Sequence, residues 1–126
     1  KGLSGISGDV REIEAAEDSG DEQAALALSV YVHRIAAAVA AMTASLGGLD
    51  AIAFTAGVGE NSARIRARVC ERISFLGIEI DSTHNAEAKL DTDIATDGSA
   101  VRVLVIRARE ALIAARAVRK VLNDAG

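Results

Sequence analysis

The residues with the clearest chemical promise are Gly57 and Gly59, in the stretch Phe54-Thr55-Ala56-Gly57-Val58-Gly59-Glu60-Asn61-Ser62. Two glycines so close together remove side chains where a backbone could approach a flat ring or a phosphate. Asn61 or Ser62 can cap a following helix, whose first N–H groups favour a nearby anion. The run Ile52-Ala53-Phe54 just ahead is apolar without alternation, which predicts a short strand buried on both faces of a covered parallel sheet. A strand, a glycine turn and a helix start form the edge at which open α/β sheets bind ligands, although such turns also serve packing alone.

The elements around this loop follow from hydrophobic spacing. Residues 2–8 form a loop with three glycines and two serines, after which Asp9 is placed to cap a short helix beginning at Val10. Residues 17–22 read as a polar break, with Gly20 or Asp21 at the next helix boundary. From about Gln23 to Leu46 a long helix is predicted, with Ala25, Leu28, Val32, Ile35, Val39, Met42 and Leu46 on one stripe and Gly47-Gly48 ending it. A helix so apolar on more than one face is either central to its domain or part of a subunit interface.

A further helix is predicted over about 61–75, with Ile65, Val69, Ile73 and Leu76 inward and Arg64, Arg68 and Arg72 on a solvated face. Ile78 and Ile80 alternate with Glu79 as in a half-buried strand, and residues 81–85 suit a turn or cap. Residues 86–100 carry no clear pattern. The β-branched run over residues 101–106 predicts a second strand, followed after Arg107-Ala108-Arg109-Glu110 by a final helix to about Leu122. Strand, polar loop and helix thus occur twice, which makes the fold class α/β with a sheet flanked by helices.

The 126 residues suit one domain with a core, being 50% apolar and 25% charged. With 2% aromatic residues that core has to be built from Ala, Val, Ile and Leu. A net charge of -4, with no basic patch among aromatics, argues against nucleic acid as a partner. The single cysteine, Cys70, has no internal disulfide partner, and no signal peptide or membrane span is read, so the expected location is cytoplasmic with no membrane partner. The chain opens with Lys1 on a glycine loop, which predicts a portion of a longer protein.

Three segments in order, Ser7-Gly8-Asp9-Val10-Arg11-Glu12, then Phe54 through Ser62, then Val105-Ile106 running to Glu110, resemble the carboxyl-terminal part of the acetate kinase family. The resemblance continues through Ile65, Arg66 and residues 75–81, and covers essentially all of the chain but about the last third of such an enzyme. It implies a ribonuclease-H-like, actin-like ATPase domain, with residues 1–126 forming part of the nucleotide-binding domain of a two-domain kinase. It implies reversible phosphoryl transfer between ATP and acetate, giving acetyl phosphate and ADP, in a homodimer that meets through this domain. By the same resemblance Asp9 would bond ribose, Val10 and Arg11 would border the base, and Gly57, Val58, Gly59, Glu60 and Asn61 would form the adenine pocket. Glu110 would help hold Mg²⁺ or Mn²⁺.

Mg²⁺ needs only one or two carboxylates beside its waters and phosphates, so one glutamate at a strand end suffices. Two positions depart from the family: Val10 stands where Phe is usual, and Arg107-Ala108-Arg109 where a proline turn is common. The groups that bind the acyl carboxylate and steady the transferring phosphoryl belong to the unmatched upstream part, so no catalytic residue is assigned here and the chain alone is expected not to turn over. Butyrate and propionate kinases, or a structural dimerisation module without a ligand, remain as alternatives.

Plainer roles compete for several of these residues. Glu110 could merely complement a helix dipole, and Arg11 could pair with Glu12 or Glu14. His33 and His84 lack ligand spacing and read as structural, and Cys70 reads as a buried thiol.

Overall fold

Asp9 ends the opening loop as expected: in the computed structural model, which describes residues 2–109, its carboxylate accepts the Arg11 N–H and starts helix α1 (Val10–Asp18). Glu17 and Asp18 therefore belong to α1, and the polar break is shorter than the sequence suggested. Asp21 caps helix α2 (Glu22–Leu46) by accepting the N–H groups of Gln23 and Ala24, and Gly47 closes it at φ 74°, where a left-handed residue is needed.

The apolar stripe of α2 divides along its length. Ala24, Leu28, Val32 and Ala36 are buried, whereas Met42 and Leu46, placed on the same stripe by spacing, are 59% and 74% exposed. α2 lies over the core as far as Ala36 and Val39, and its last turns, with Met42 and Leu46, extend past it. By length and composition alone α2 could cross a membrane, although no span was expected from the sequence. Leu28, Val32 and Ala36 pack into the same core as Ile65 and Val69.

Among the described residues three strands make one sheet in the order β1-β3-β2, with β1 (Ala51–Thr55) parallel to β3 (Arg102–Ile106) and β2 (Thr92–Asp93) antiparallel to it. The register sets Ile52 beside Val103 and Phe54 beside Val105. That shared face carries the core, with Val103 and Val105 fully buried. The expectation that residues 52–54 are buried on both faces is corrected: among the described residues Ile52 and Phe54 are half-buried while Ala51, Ala53 and Thr55 are exposed.

After the loop, Ser62 breaks the chain and caps α4 (Ala63–Arg72). This helix is shorter than the 61–75 expected. A short α3 (Ala56–Asn61) precedes it, and Ile73 leads into a 3-10 turn (Ser74–Leu76) that Gly77 ends at φ 84°. Ile65, Val69 and Ile73 are buried as predicted, each such side chain contributing about 1.5–3 kcal/mol. The arginines between them are not simply solvated. Arg64 pairs with Asp18 at 2.7 Å and Arg68 with Glu17 at 2.9 Å, fastening α4 to α1, and the Arg72 guanidinium lies 3.1 Å from His33 Nδ1 on α2.

Ile80 forms an isolated bridge to Ala95 rather than a strand, and Asp81 caps α5 (Ser82–Ala86). The segment without a sequence pattern contains β2 and the fully buried Ile94. The architecture is α/β, a small sheet flanked by helices. The final helix expected to about Leu122, and Glu110 with it, lie outside the described residues.

Candidate functional site

The glycine loop is shaped by unusual backbone angles at the end of β1. Ala56 has φ 55°, and Gly57 follows at φ 21°, ψ -104°, a conformation that a side chain would oppose. Gly59 has a different reason to lack a side chain: a Cβ there would meet the Phe54 carbonyl carbon at 3.2 Å. Asn61 Nδ2 donates to the Gly57 carbonyl at 2.7 Å, closing the loop across its mouth. Ser62 Oγ accepts the Ile65 N–H at 3.0 Å and donates to Glu14 Oε1 at 2.6 Å, so the cap of α4 is also the joint to α1.

That joint brings the two separated candidate segments together. Asp9, Val10 and Arg11 from the start of α1 line one cavity of about 420 Å³ with Gly57, Val58, Asn61 and Ser62. The size falls within the range of small-molecule sites. Val10 and Val58 supply apolar surface, Gly57 leaves room for close approach, and Asp9, Arg11 and Asn61 place polar groups at the rim. Asp9 and Arg11 pair with each other, Arg11 Nε donating at 3.1 Å and Nη2 at 2.7 Å. The Arg11 hydrogen bond holds the Asp9 carboxyl below its ordinary value, so it is an anion at neutral pH. The competing pairing of Arg11 with Glu12 or Glu14 is not the one formed.

Gly59 and Glu60 do not line this cavity. Gly59 packs on Phe54, and Glu60 Oε1 is engaged by two backbone groups, accepting the N–H of Ala56 at 2.8 Å and of Ala108 at 2.7 Å.

Behind the loop lies an arginine that corrects the expectation of a solvated face for the arginines after Asn61. Arg66 is 3% exposed, and its guanidinium donates to the Gly59 and Glu60 carbonyls at 3.0 Å each, to Asn85 Oδ1 at 2.8 Å and to the Asn85 carbonyl at 2.8 Å. Burial lowers its pKa from the ordinary value. Its position was legible: Arg66 precedes the buried Val69 by three residues and the buried Cys70 by four, one helix face.

Cys70 is buried, and burial pushes its thiol up to about 11, which fits the structural role expected. His33 meets Arg72, and His84 is exposed on α5. Among the described residues no group of three or more His, Cys, Asp or Glu could hold a metal ion.

Comparison with known proteins gives this geometry a family. Residues 1–116 match the model of the Acetokinase family. Acetate kinase of Nostoc punctiforme is 53% identical over 110 residues, which are 87% of this chain and 27% of that protein. Acetate kinase of Pseudothermotoga lettingae is 44% identical over 123 residues, 98% of this chain and 30% of that protein. The crystal structure of Porphyromonas gingivalis acetate kinase superposes with a TM-score of 0.87 at 39% identity, over 96% of this chain and 31% of that one. A propionate kinase from Francisella tularensis superposes with a TM-score of 0.77 at 37% identity, over 87% of this chain and 28% of that one.

The fold is thus the actin-like ATPase architecture expected from the sequence. The expected carboxyl-terminal placement is corrected to a statement of extent: the chain spans 27% of the length of the Nostoc relative, and we assign it to neither end. With the family model covering residues 1–116, the chain belongs to the acetokinase family.

Proposed function

We propose that the cavity between residues 9–11 and 57–61 receives the adenosine part of ATP or ADP in an enzyme that transfers a phosphoryl group between ATP and acetate. The observation that carries this is convergence: Asp9, Val10 and Arg11 meet Gly57, Val58 and Asn61 around one cavity, although the segments are far apart in the chain. In this reading Asp9 accepts from a ribose hydroxyl, Val10 and Val58 sandwich the base, and Arg11 and Asn61 address its polar edge. Gly59 keeps the loop close to β1. The relatives carry names for both acetate and propionate kinases, so the acyl substrate is a short-chain carboxylate, acetate being the first to test.

Glu110 is proposed to contribute a carboxylate to Mg²⁺ or Mn²⁺. The bound metal would neutralise charge on the phosphates, and residues 9–11 and 57–61 would only position the nucleoside. The groups that bind the acyl carboxylate are proposed to come from the remainder of a full-length kinase. A buried, unpaired Cys70 agrees with a reducing, cytoplasmic location.

Calorimetric titration of ADP into the full-length gene product tests the nucleotide site. Val58→Trp, which fills the cavity, should weaken ADP at least about tenfold, the loss of roughly one well-made contact. Unchanged affinity in that variant would place the nucleotide elsewhere. Acetyl phosphate formation from ATP with acetate, and with propionate in parallel, tests the reaction.

A second reading concerns assembly. Leu26, Met42 and Leu46 of α2 are 49%, 59% and 74% exposed, which favours α2 as a homodimer surface. Sedimentation should show Leu46→Glu shifting a dimer toward monomer; an unshifted dimer would remove α2 from the interface.

A further inference from the structure

We infer that Glu60 is a positioning residue that clasps the loop after β1 to the chain leaving β3, and so sets the shape of the cavity without touching what binds there. β1 and β3 are parallel neighbours, with Thr55 beside Ile106, so their two exits run side by side. Beyond the last ladder bonds the N–H groups of both exits need acceptors. One oxygen serves both. Glu60 Oε1 accepts the Ala56 N–H at 2.8 Å and the Ala108 N–H at 2.7 Å, two charge-assisted bonds that join residues 48 apart in sequence from Glu60 to Ala108.

The clasp is braced from both sides. The Glu60 carbonyl accepts from Arg66 Nη1 at 3.0 Å, so the residue that reaches forward to Ala108 is itself held from behind. On the other flank Asp91, in the left-handed region at φ 63°, accepts the Arg107 N–H at 3.1 Å and pairs with Arg109. Residues 107, 108 and 109 are therefore held in turn by Asp91, Glu60 and Asp91. Arg107 and Ala108 both have to offer an N–H for this, which a proline at either position would not do.

The bond to Ala56 matters for the cavity. Ala56 is a non-glycine residue at φ 55°, and Gly57, which lines the cavity, follows it directly. Without an acceptor for its N–H, Ala56 has no reason to stay in that conformation. Glu60 thus acts on the ligand through Gly57. Ala108 stands two residues ahead of Glu110 in sequence, so the clasp joins the proposed nucleoside loop to the strand exit that leads to the proposed metal carboxylate.

The affinity part of this inference rests on the nucleotide reading, and the clasp itself does not. The experiment uses the full-length gene product with Glu60→Ala, Glu60→Gln and Glu60→Asp, amide exchange at single-residue resolution, and calorimetry with ADP. In Glu60→Ala, exchange at Ala56 and Ala108 should rise at least about tenfold while Val69 and Val103 keep their protection. ADP should weaken by about tenfold, and Glu60→Gln, which keeps an oxygen acceptor in place, should restore most of both.

Where Glu60→Ala does not fold, Glu60→Asp reads the same clasp, because its shorter reach should free Ala108 first. Faster exchange confined to residues 56–61, or none, would overturn the clasp. Weak ADP binding in Glu60→Gln with full protection at Ala56 and Ala108 would overturn it differently, by making the carboxylate a direct contact. A wild type that does not bind ADP would sink the nucleotide reading, while the exchange data still decided the clasp.

Discussion

Replacing Arg66 by Met keeps the aliphatic stem and removes every donor, which makes its cost calculable from the contacts. The guanidinium serves four acceptors and touches no carboxylate. The two bonds to Asn85 Oδ1 and to the Asn85 carbonyl are buried, so those oxygens would be stranded at about 1–3 kcal/mol each. The Gly59 and Glu60 carbonyls are only partly buried and can find water, adding little. Against this stands relief from burying a cation, which is several kcal/mol in general but smaller where four good acceptors already solvate it. The net expected loss is about 2–4 kcal/mol, a large share of a typical stability of about 5–15 kcal/mol.

Urea denaturation followed by far-UV circular dichroism would measure it, with Asn85→Ala and the double variant completing a cycle. The two side chains share a bond at 2.8 Å, so their coupling should be about 0.5–3 kcal/mol. A loss below about 1 kcal/mol with no coupling to Asn85 would refute the claim that Arg66 holds the loop from behind.

Three other outcomes follow from the same structure. Asp93 has a lowered pKa because burial, which pushes it up, is outweighed by the Ala95 N–H and the Arg102 guanidinium that bond to it. Its stabilisation is therefore fully present above the ordinary value of 3.8 and is lost as pH falls through the lower folded value. Acid titration of stability should show Asp93→Asn converging with wild type at the acid end, and parallel curves throughout would contradict this. Cys70, with its thiol near 11, should react with a thiol reagent at pH 8 far more slowly in the folded protein than in urea; equal rates would mean that it is not buried. Gly59→Ala has to fit a methyl 3.2 Å from the Phe54 carbonyl carbon, an overpacking cost of about 1–3 kcal/mol, and a thermal midpoint unchanged from wild type would show that β1 yields there freely.

The helix starts were legible in the sequence because capping is local. Asp9 and Asp21 each accept N–H groups two or three residues ahead, a relation fixed by chain geometry. The same is true of the buried face of α4, where periodicity selects Ile65, Val69 and Ile73. A parallel sheet was expected from the apolar run at residues 52–54, and β1 and β3 do pair in parallel. Residues 9–11 and 57–61 were assigned to a nucleotide by resemblance, and the meeting of residues 9–11 with Gly57, Val58 and Asn61 around one cavity agrees with that choice without testing it.

Other features depended on contacts between residues distant in sequence. Nothing near residue 52 reveals that Ala51, Ala53 and Thr55 stay exposed among the described residues while Ile52 and Phe54 turn to the core, since an apolar run reads the same where both faces are covered. Residues 61–75 look continuous, yet Ser62, bonded to Glu14, divides α3 from α4. Arg64 and Arg68 look solvated until α1 brings Asp18 and Glu17 beside them. Glu60 was placed in the pocket by resemblance alone, and no local pattern shows that its carboxylate reaches Ala108, which only the pairing of two strands brings near.

The sequence by itself therefore determined local conformation and which faces are apolar, because both rest on interactions spanning a few residues. Tertiary structure decided which polar side chains would be consumed by backbone N–H and carbonyl groups of other segments, because a buried hydrogen-bonding group takes whatever partner the fold delivers.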